Sequence, residues 1–223
     1  MKTTHTIALL FVSVVALSLP AQTLTPEGTR ISIPNTTFPV DVLVKSPAEA
    51  PGELQIICLF RSDPENKLLA SLAILNQHLG GLLGTVRTQT LFRGDLGETL
   101  LITPKPGIIA AKRLLIVGLG DRPSFTADRE ELIGEIVYTE SERLRIAAPS
   151  FAPTILDGGA TVTDTGAVGA SFMRGFLRGR ALAAALHSAA AGPEFNVRSL
   201  TFLAGTTHAI DTRNGLASVL TAK

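Results

Sequence analysis

The 223-residue chain holds a single cysteine, Cys58. An internal disulfide is therefore excluded. Cys58 stands inside the apolar run 54–60 and is expected to behave as a small buried hydrophobe. It is too far along the chain to anchor a lipid at a processed N-terminus. Excess charge of one sign is also missing: 20 Lys and Arg face 19 Asp and Glu. That balance excludes nucleic-acid or membrane-surface binding driven by bulk charge. Histidine is sparse, and His5, His78, His187 and His208 are widely spaced. No H-x-x-x-H pattern or cysteine pair exists to bring metal ligands together. A G-x-S-x-G elbow is lacking, because Met173 follows Gly169-Ala170-Ser171 where the second glycine is needed. No apolar run reaches the roughly 20 residues that span a bilayer, and no internal repeat is visible.

What is present begins with a leader. Lys2, the apolar run 7–19 and Leu19-Pro20-Ala21 form the three parts of an export signal over residues 1–21. The expected location is secreted or periplasmic, with cleavage near Ala21 and no membrane span afterwards. Lys2 leaves with the leader, so the remaining chain is formally neutral. Residues 22–38, rich in Thr, Pro and Asn, read as an extended lead-in. Residues 39–223 read as a single domain, and 45% hydrophobic residues are enough for its core.

The domain is organised around residues 112–120, K-R-L-L-I-V-G-L-G. The apolar run without alternation suits a strand covered on both faces, and a helix follows from near Thr126. The runs 40–44 and 54–60 predict two more strands. Ser62 and Glu65 fit a capping box that opens a helix through Leu68, Leu72, Leu75 and Leu79, closed by Gly80-Gly81. Residues 88–92 and 98–103 flank a glycine-rich turn and predict a hairpin. Strands are expected at 145–151 and 197–203, a long helix over 165–187, and a last helix from 211 or 212 to 220. This interleaving predicts a three-layer α/β/α domain with a mixed central sheet.

Candidate functional residues are few. Gly118, Gly120 and Asp121 form a strand-exit turn that either presents backbone N–H groups to a phosphate or simply turns the chain. Pro123 occupies the third glycine position of a dinucleotide fingerprint. Gly158 and Gly159 lie in a second glycine-rich loop, 156–169. Arg174 and Arg178, four apart with Arg180 nearby, form the densest positive patch, suited to an anion or to a salt-bridged helix face. Gly175 and Gly179 would admit a neighbouring backbone. Glu130, Glu131, Glu135, Glu140 and Glu142 are expected on the solvated face of the 126–144 helix. His78 near a helix end is read as structural. Arg93-Gly94-Asp95 matches a cell-adhesion tripeptide that is common by chance.

The segment F-R-G-D-L-G-E at 92–98, followed by K-R-L-L-I-V-G-L-G at 112–120, resembles the N-terminal domain of leucyl aminopeptidases of the M17 peptidase family. That domain carries an F-x-G-K-x-G-E-like turn, and Asp95 stands where the family has lysine. The order of elements agrees from Val40 to Leu220. The resemblance implies a macrodomain-like fold that precedes a separate catalytic domain holding two divalent metals, and it sets Lys223 about where the connection would begin. The N-T-D-A-E-G-R segment of that catalytic domain does not occur in this sequence, so no catalytic residue, metal ligand or cofactor is expected. The expected role is an exported, non-catalytic binding module. Its partner would be a protein, such as an aminopeptidase catalytic chain or an envelope protein, or a small anion of the ADP-ribose type.

Overall fold

A computed structural model describes residues 24–34, 36, 38–63, 67–161, 164–192 and 196–221. The leader, 1–21, and Glu65 of the expected capping box lie outside the described residues. The strands are β1 (Arg30–Ser32), β2 (Val40–Val44), β3 (Gln55–Leu59), β4 (Thr99–Ile102), β5 (Leu114–Gly118), β6 (Ser150–Ala152) and β7 (Leu200–Ala204). The helices are α1 (Ala70–His78), α2 (Leu82–Thr88), α3 (Arg129–Arg143), α4 (Thr165–Ser188) and α5 (Ala209–Leu220), with a 3₁₀ turn at Arg122–Ser124.

The strands form one sheet in the order β1-β2-β7-β6-β3-β5-β4. The five inner strands run parallel, and β1 and β4 pair antiparallel at the two edges. Strand periodicity sorts the core into two layers. Ile56, Cys58, Leu115 and Val117 face α3, α4 and α5, where Ile133, Val137, Phe172, Phe176 and Leu216 cover them. Ile57, Leu59, Leu114 and Ile116 face α1 and α2, under Leu72, Leu75, Leu83 and Val86. Every residue of β3 and β5 is buried, as the unbroken apolar runs require. The mixed three-layer sheet agrees with the expected fold class.

Helices α3 and α4 cross in close contact. A Cβ on Gly175 would overlap the Glu131 backbone, and one on Gly134 would overlap the Phe172 carbonyl. Glycine at both positions lets the two backbones touch. Phe172 also stacks on Phe151 of β6, with ring centroids 4.1 Å apart. No helix among the described residues is long and apolar enough to cross a membrane.

Four expectations need correction. Residues 88–92 are no strand: α2 ends at Thr88 and Phe92 is buried against the α1/α2 layer. The turn after it is closed by Glu98, whose carboxylate accepts from the backbone N–H groups of Arg93, Gly94 and Asp95 at 2.8–3.2 Å. This leaves β4 to pair with β5. The helix expected from Ser62 starts at Ala70, and Gly80-Gly81 leads into a second helix, α2. The lead-in contains strand β1, because the Arg30–Asp41 ion pair (2.8 Å) and the Ser32–Asp41 hydrogen bond (2.6 Å) tie it to β2. Two of the helix carboxylates expected in water are buried. Glu130 is 0% exposed, and among the described residues neither of its oxygens has a hydrogen-bond partner. Glu142 accepts from Tyr138 Oη, from Asn196 and from the Val197 N–H.

Candidate ligand-binding cleft

Helix α1 follows β3 into one layer, whereas α4 follows β6 into the other. The chain therefore parts between neighbouring strands, the place where open α/β sheets form a crevice at their carboxyl ends. A cleft of about 580 Å³ lies there, beyond the ends of β2, β7 and β6. Val44, Ile155, Val168, Phe202 and Leu203 give it apolar walls. Its polar groups gather where helices begin: Ser71 in α1, Thr165 in α4, and His208 and Thr212 at α5. Helix N-termini carry unpaired N–H groups and partial positive charge.

Asp157 links two walls of the cleft. No side chain of its own sequence caps α1, and Asp157 fills that role. Its carboxylate accepts from Ser71 Oγ, and its carbonyl accepts from the Leu69 N–H at 2.8 Å. Burial raises the Asp157 pKa, and the Ser71 hydrogen bonds and the nearby His208 partly offset that. At α4 the N-cap is satisfied within the helix, because the Asp164 side chain accepts from the Ala167 N–H at 3.0 Å.

A second cavity of about 420 Å³ lies at the ends of β3 and β5, lined by residues 61–63 and 121–124. Its charges are mostly paired. Arg61 bonds Asp95 at 2.7 Å and Asp121 at 2.8 Å, and Arg122 pairs with Asp63 at 3.0 Å. Arg129 donates to the Leu119 and Asp121 carbonyls and to Ser124 Oγ. The 156–159 loop separates the two cavities. Leu156 and Asp157 wall the first, and Gly159 lies against the Arg122 guanidinium.

The sequence-derived site residues fall in three places. Asp121 lines the second cavity, and Gly159 abuts it through Arg122. Gly158 packs against the Phe60 ring, Gly120 lies beside Arg129 and Leu96, and a side chain at Gly118 would overlap the Asp95 carbonyl. Gly118 thus serves the close approach of the 94–97 turn to β5. Arg174 and Arg178 lie on the α3/α4 seam, where Glu131 pairs with both and Glu135 also meets Arg178. The cleft walls at Ser71 and His208 carried no local sequence signal, because they come from helix starts that the strand order brings together.

Chemically the cleft is equipped to bind. Among the described residues no three His, Cys, Asp or Glu side chains gather so as to hold a metal ion. Burial, and then the charge of Glu130, push the Cys58 thiol well above its usual pKa, which keeps it protonated and unreactive.

The fold is similar to that of many solved structures, among them the following three. A variant of tomato leucine aminopeptidase matches with a TM-score of 0.59 at 17% identity, covering 85% of this chain and 37% of the enzyme. A variant of the Oceanobacillus iheyensis macrodomain matches at 0.55 and 12%, covering 86% of this chain and 96% of that one. The Trypanosoma brucei macrodomain in complex with ADP-ribose matches at 0.51 and 12%, covering 78% and 67%. At these identities the likeness shows the fold alone. The chain spans just over a third of the length of the tomato enzyme. No curated protein matches the sequence. Residues 56–170, just over half of the chain, match the N-terminal domain of the cytosol aminopeptidase family, and the chain belongs to that family through this domain.

Proposed function

We propose that this chain is an exported, non-catalytic binding module that holds a small anionic ligand of the nucleotide type. The cleft beyond β2, β7 and β6 carries the reading. Its apolar walls suit a flat ring, and the start of α5, which no described side chain caps, suits an oxyanion. The Trypanosoma brucei neighbour, described in complex with ADP-ribose, supports that ligand class. Export rests on the leader composition of residues 1–21.

Calorimetry with ADP-ribose tests the ligand. Saturable heat is expected, and Thr206→Trp, an exposed change at the cleft rim, should abolish it. No heat at millimolar ADP-ribose removes the reading. Leucine p-nitroanilide with Mn²⁺ or Zn²⁺ should show no turnover, and metal-dependent hydrolysis that co-purifies with the chain overturns the non-catalytic part. N-terminal sequencing of protein from the envelope fraction checks cleavage near Ala21.

A second reading draws on the family. Residues 56–170 match the family's N-terminal domain, which suits a regulatory or structural subunit for a separately encoded M17 metalloaminopeptidase. Co-expression with that catalytic chain, followed by light scattering, decides it. Recovery of this chain alone and monomeric defeats this second reading.

A further inference from the structure

Arg87, in the last turn of α2, is 4% exposed. Its Nη2 donates to the Phe60 carbonyl at 3.5 Å, and among the described residues its Nε and Nη1 have no hydrogen-bond partner. Buried guanidinium groups ordinarily face a carboxylate or phosphate that takes their N–H groups in pairs. Among the described residues, the acids at this cavity and its rim pair with other arginines: Asp63 with Arg122, and Asp95 and Asp121 with Arg61. Phe60, the acceptor of Nη2, directly precedes residues 61–63 of the second cavity wall. Arg87 also interacts electrostatically with Asp63 and Arg122, both in that wall.

We infer that the second cavity is an oxyanion site, in which Arg87 and Arg122 together receive a phosphate or carboxylate group that takes the place of the Asp63 side chain. The two guanidinium groups belong to opposite layers of the fold, with Arg122 in the cavity lining and Arg87 held at the Phe60 carbonyl beside it in the chain. Arg87 comes from α2, and Arg122 from the turn after β5 that leads to α3. A bound anion therefore draws them together across the end of the sheet and relieves their mutual repulsion. Arg174 and Arg178 are committed to Glu131 and take no part. The site is distinct from the 580 Å³ cleft, so either one can fail without the other.

The test titrates the chain with inorganic phosphate, and separately with acetate, at constant ionic strength held with chloride. The Arg87 Nε–H resonance should shift saturably with one or both anions. Arg87→Met should weaken binding at least tenfold, and Asp63→Asn, which removes the competing carboxylate, should tighten it severalfold. Phosphate without acetate identifies a phosphate group as the ligand, and the converse a carboxylate. A linear, unsaturable shift with both anions, or equal affinity in Arg87→Met and the parent, overturns the proposal. Should Arg87→Met not fold, the parent resonance and Asp63→Asn decide, and unchanged affinity in Asp63→Asn counts against the site.

Discussion

The Thr154 hydroxyl grips the backbone of Cys58 from both sides. It accepts from the Cys58 N–H at 3.0 Å and donates to the Cys58 carbonyl at 2.6 Å. Strand β6 ends at Ala152, two residues earlier, so a side chain carries on the pairing of β3 where backbone runs out. This lets the 153–157 segment peel away from the sheet and wall the cleft without orphaning buried peptide groups.

Thr154→Val should therefore destabilise the protein by about 2–4 kcal/mol, since two buried backbone groups lose their partner. Urea denaturation measures it. Thr154→Ser, which keeps the hydroxyl, should recover most of the loss, and an unchanged midpoint for the valine variant would refute this account.

Glu130 makes stability depend on pH in the direction opposite to most carboxylates. Burial raises its pKa from 4.5 to about 8, so the folded chain binds more protons than the unfolded chain between those values. Stability then falls as pH rises through that window, by about 3–5 kcal/mol if the side chain stays fully buried. Glu130→Gln should lose this slope and be the more stable protein at pH 8. Melting curves from pH 5 to 9 check it, and parallel profiles for the two proteins exclude the effect.

Glu142, three turns further along α3, acts with the other sign. Burial alone would raise its pKa, but hydrogen bonds from the Val197 and Asn196 N–H groups, and then Tyr138, outweigh it and hold the value below 4.5. Its contribution is present at neutral pH and is lost as pH falls through the lowered folded-state pKa. Glu142→Ala should cost about 2–4 kcal/mol at pH 7 and much less in acid. Chemical denaturation at pH 7 and pH 3.5 separates the two cases, and an equal loss at both would contradict the mechanism.

Gly175→Ala should force α3 and α4 apart, because the new methyl meets the Glu131 backbone rather than a flexible side chain. A loss of about 2 kcal/mol or more is expected. Thermal melts of Gly175→Ala against Ala170→Gly, a change of opposite sense in the same helix, show whether crowding or helix propensity dominates. A melting point that rises in Gly175→Ala would mean that the helices do not pack this closely.

Several elements were legible because burial leaves its mark on neighbouring residues. The unbroken apolar runs of β3 and β5 announce strands covered on both faces, and the spacing of Val168, Phe172 and Phe176 announces the buried side of α4. The turn-and-strand segments at 92–98 and 112–120 carried the family. Residues 88–92 misled, because a β-rich composition flanking a glycine turn looks the same whether the partner strand lies across the turn or further along the chain. The backbone pairing of β4 with β5 settles that, and it joins segments that no pattern within the turn relates. The Arg174 and Arg178 pair was visible as charge, but its Glu131 partner lies on another helix.

The one-dimensional pattern determined which way each strand and helix faces, since side-chain direction repeats every 2.0 or 3.6 residues and needs no knowledge of neighbours. Only the tertiary structure decided that Glu130 is enclosed, that Arg87 is left with open N–H groups, and that residues near 46, 70, 155 and 206 share one cleft. Those outcomes depend on strand order, which brings together segments more than a hundred residues apart and sets how much water each side chain keeps.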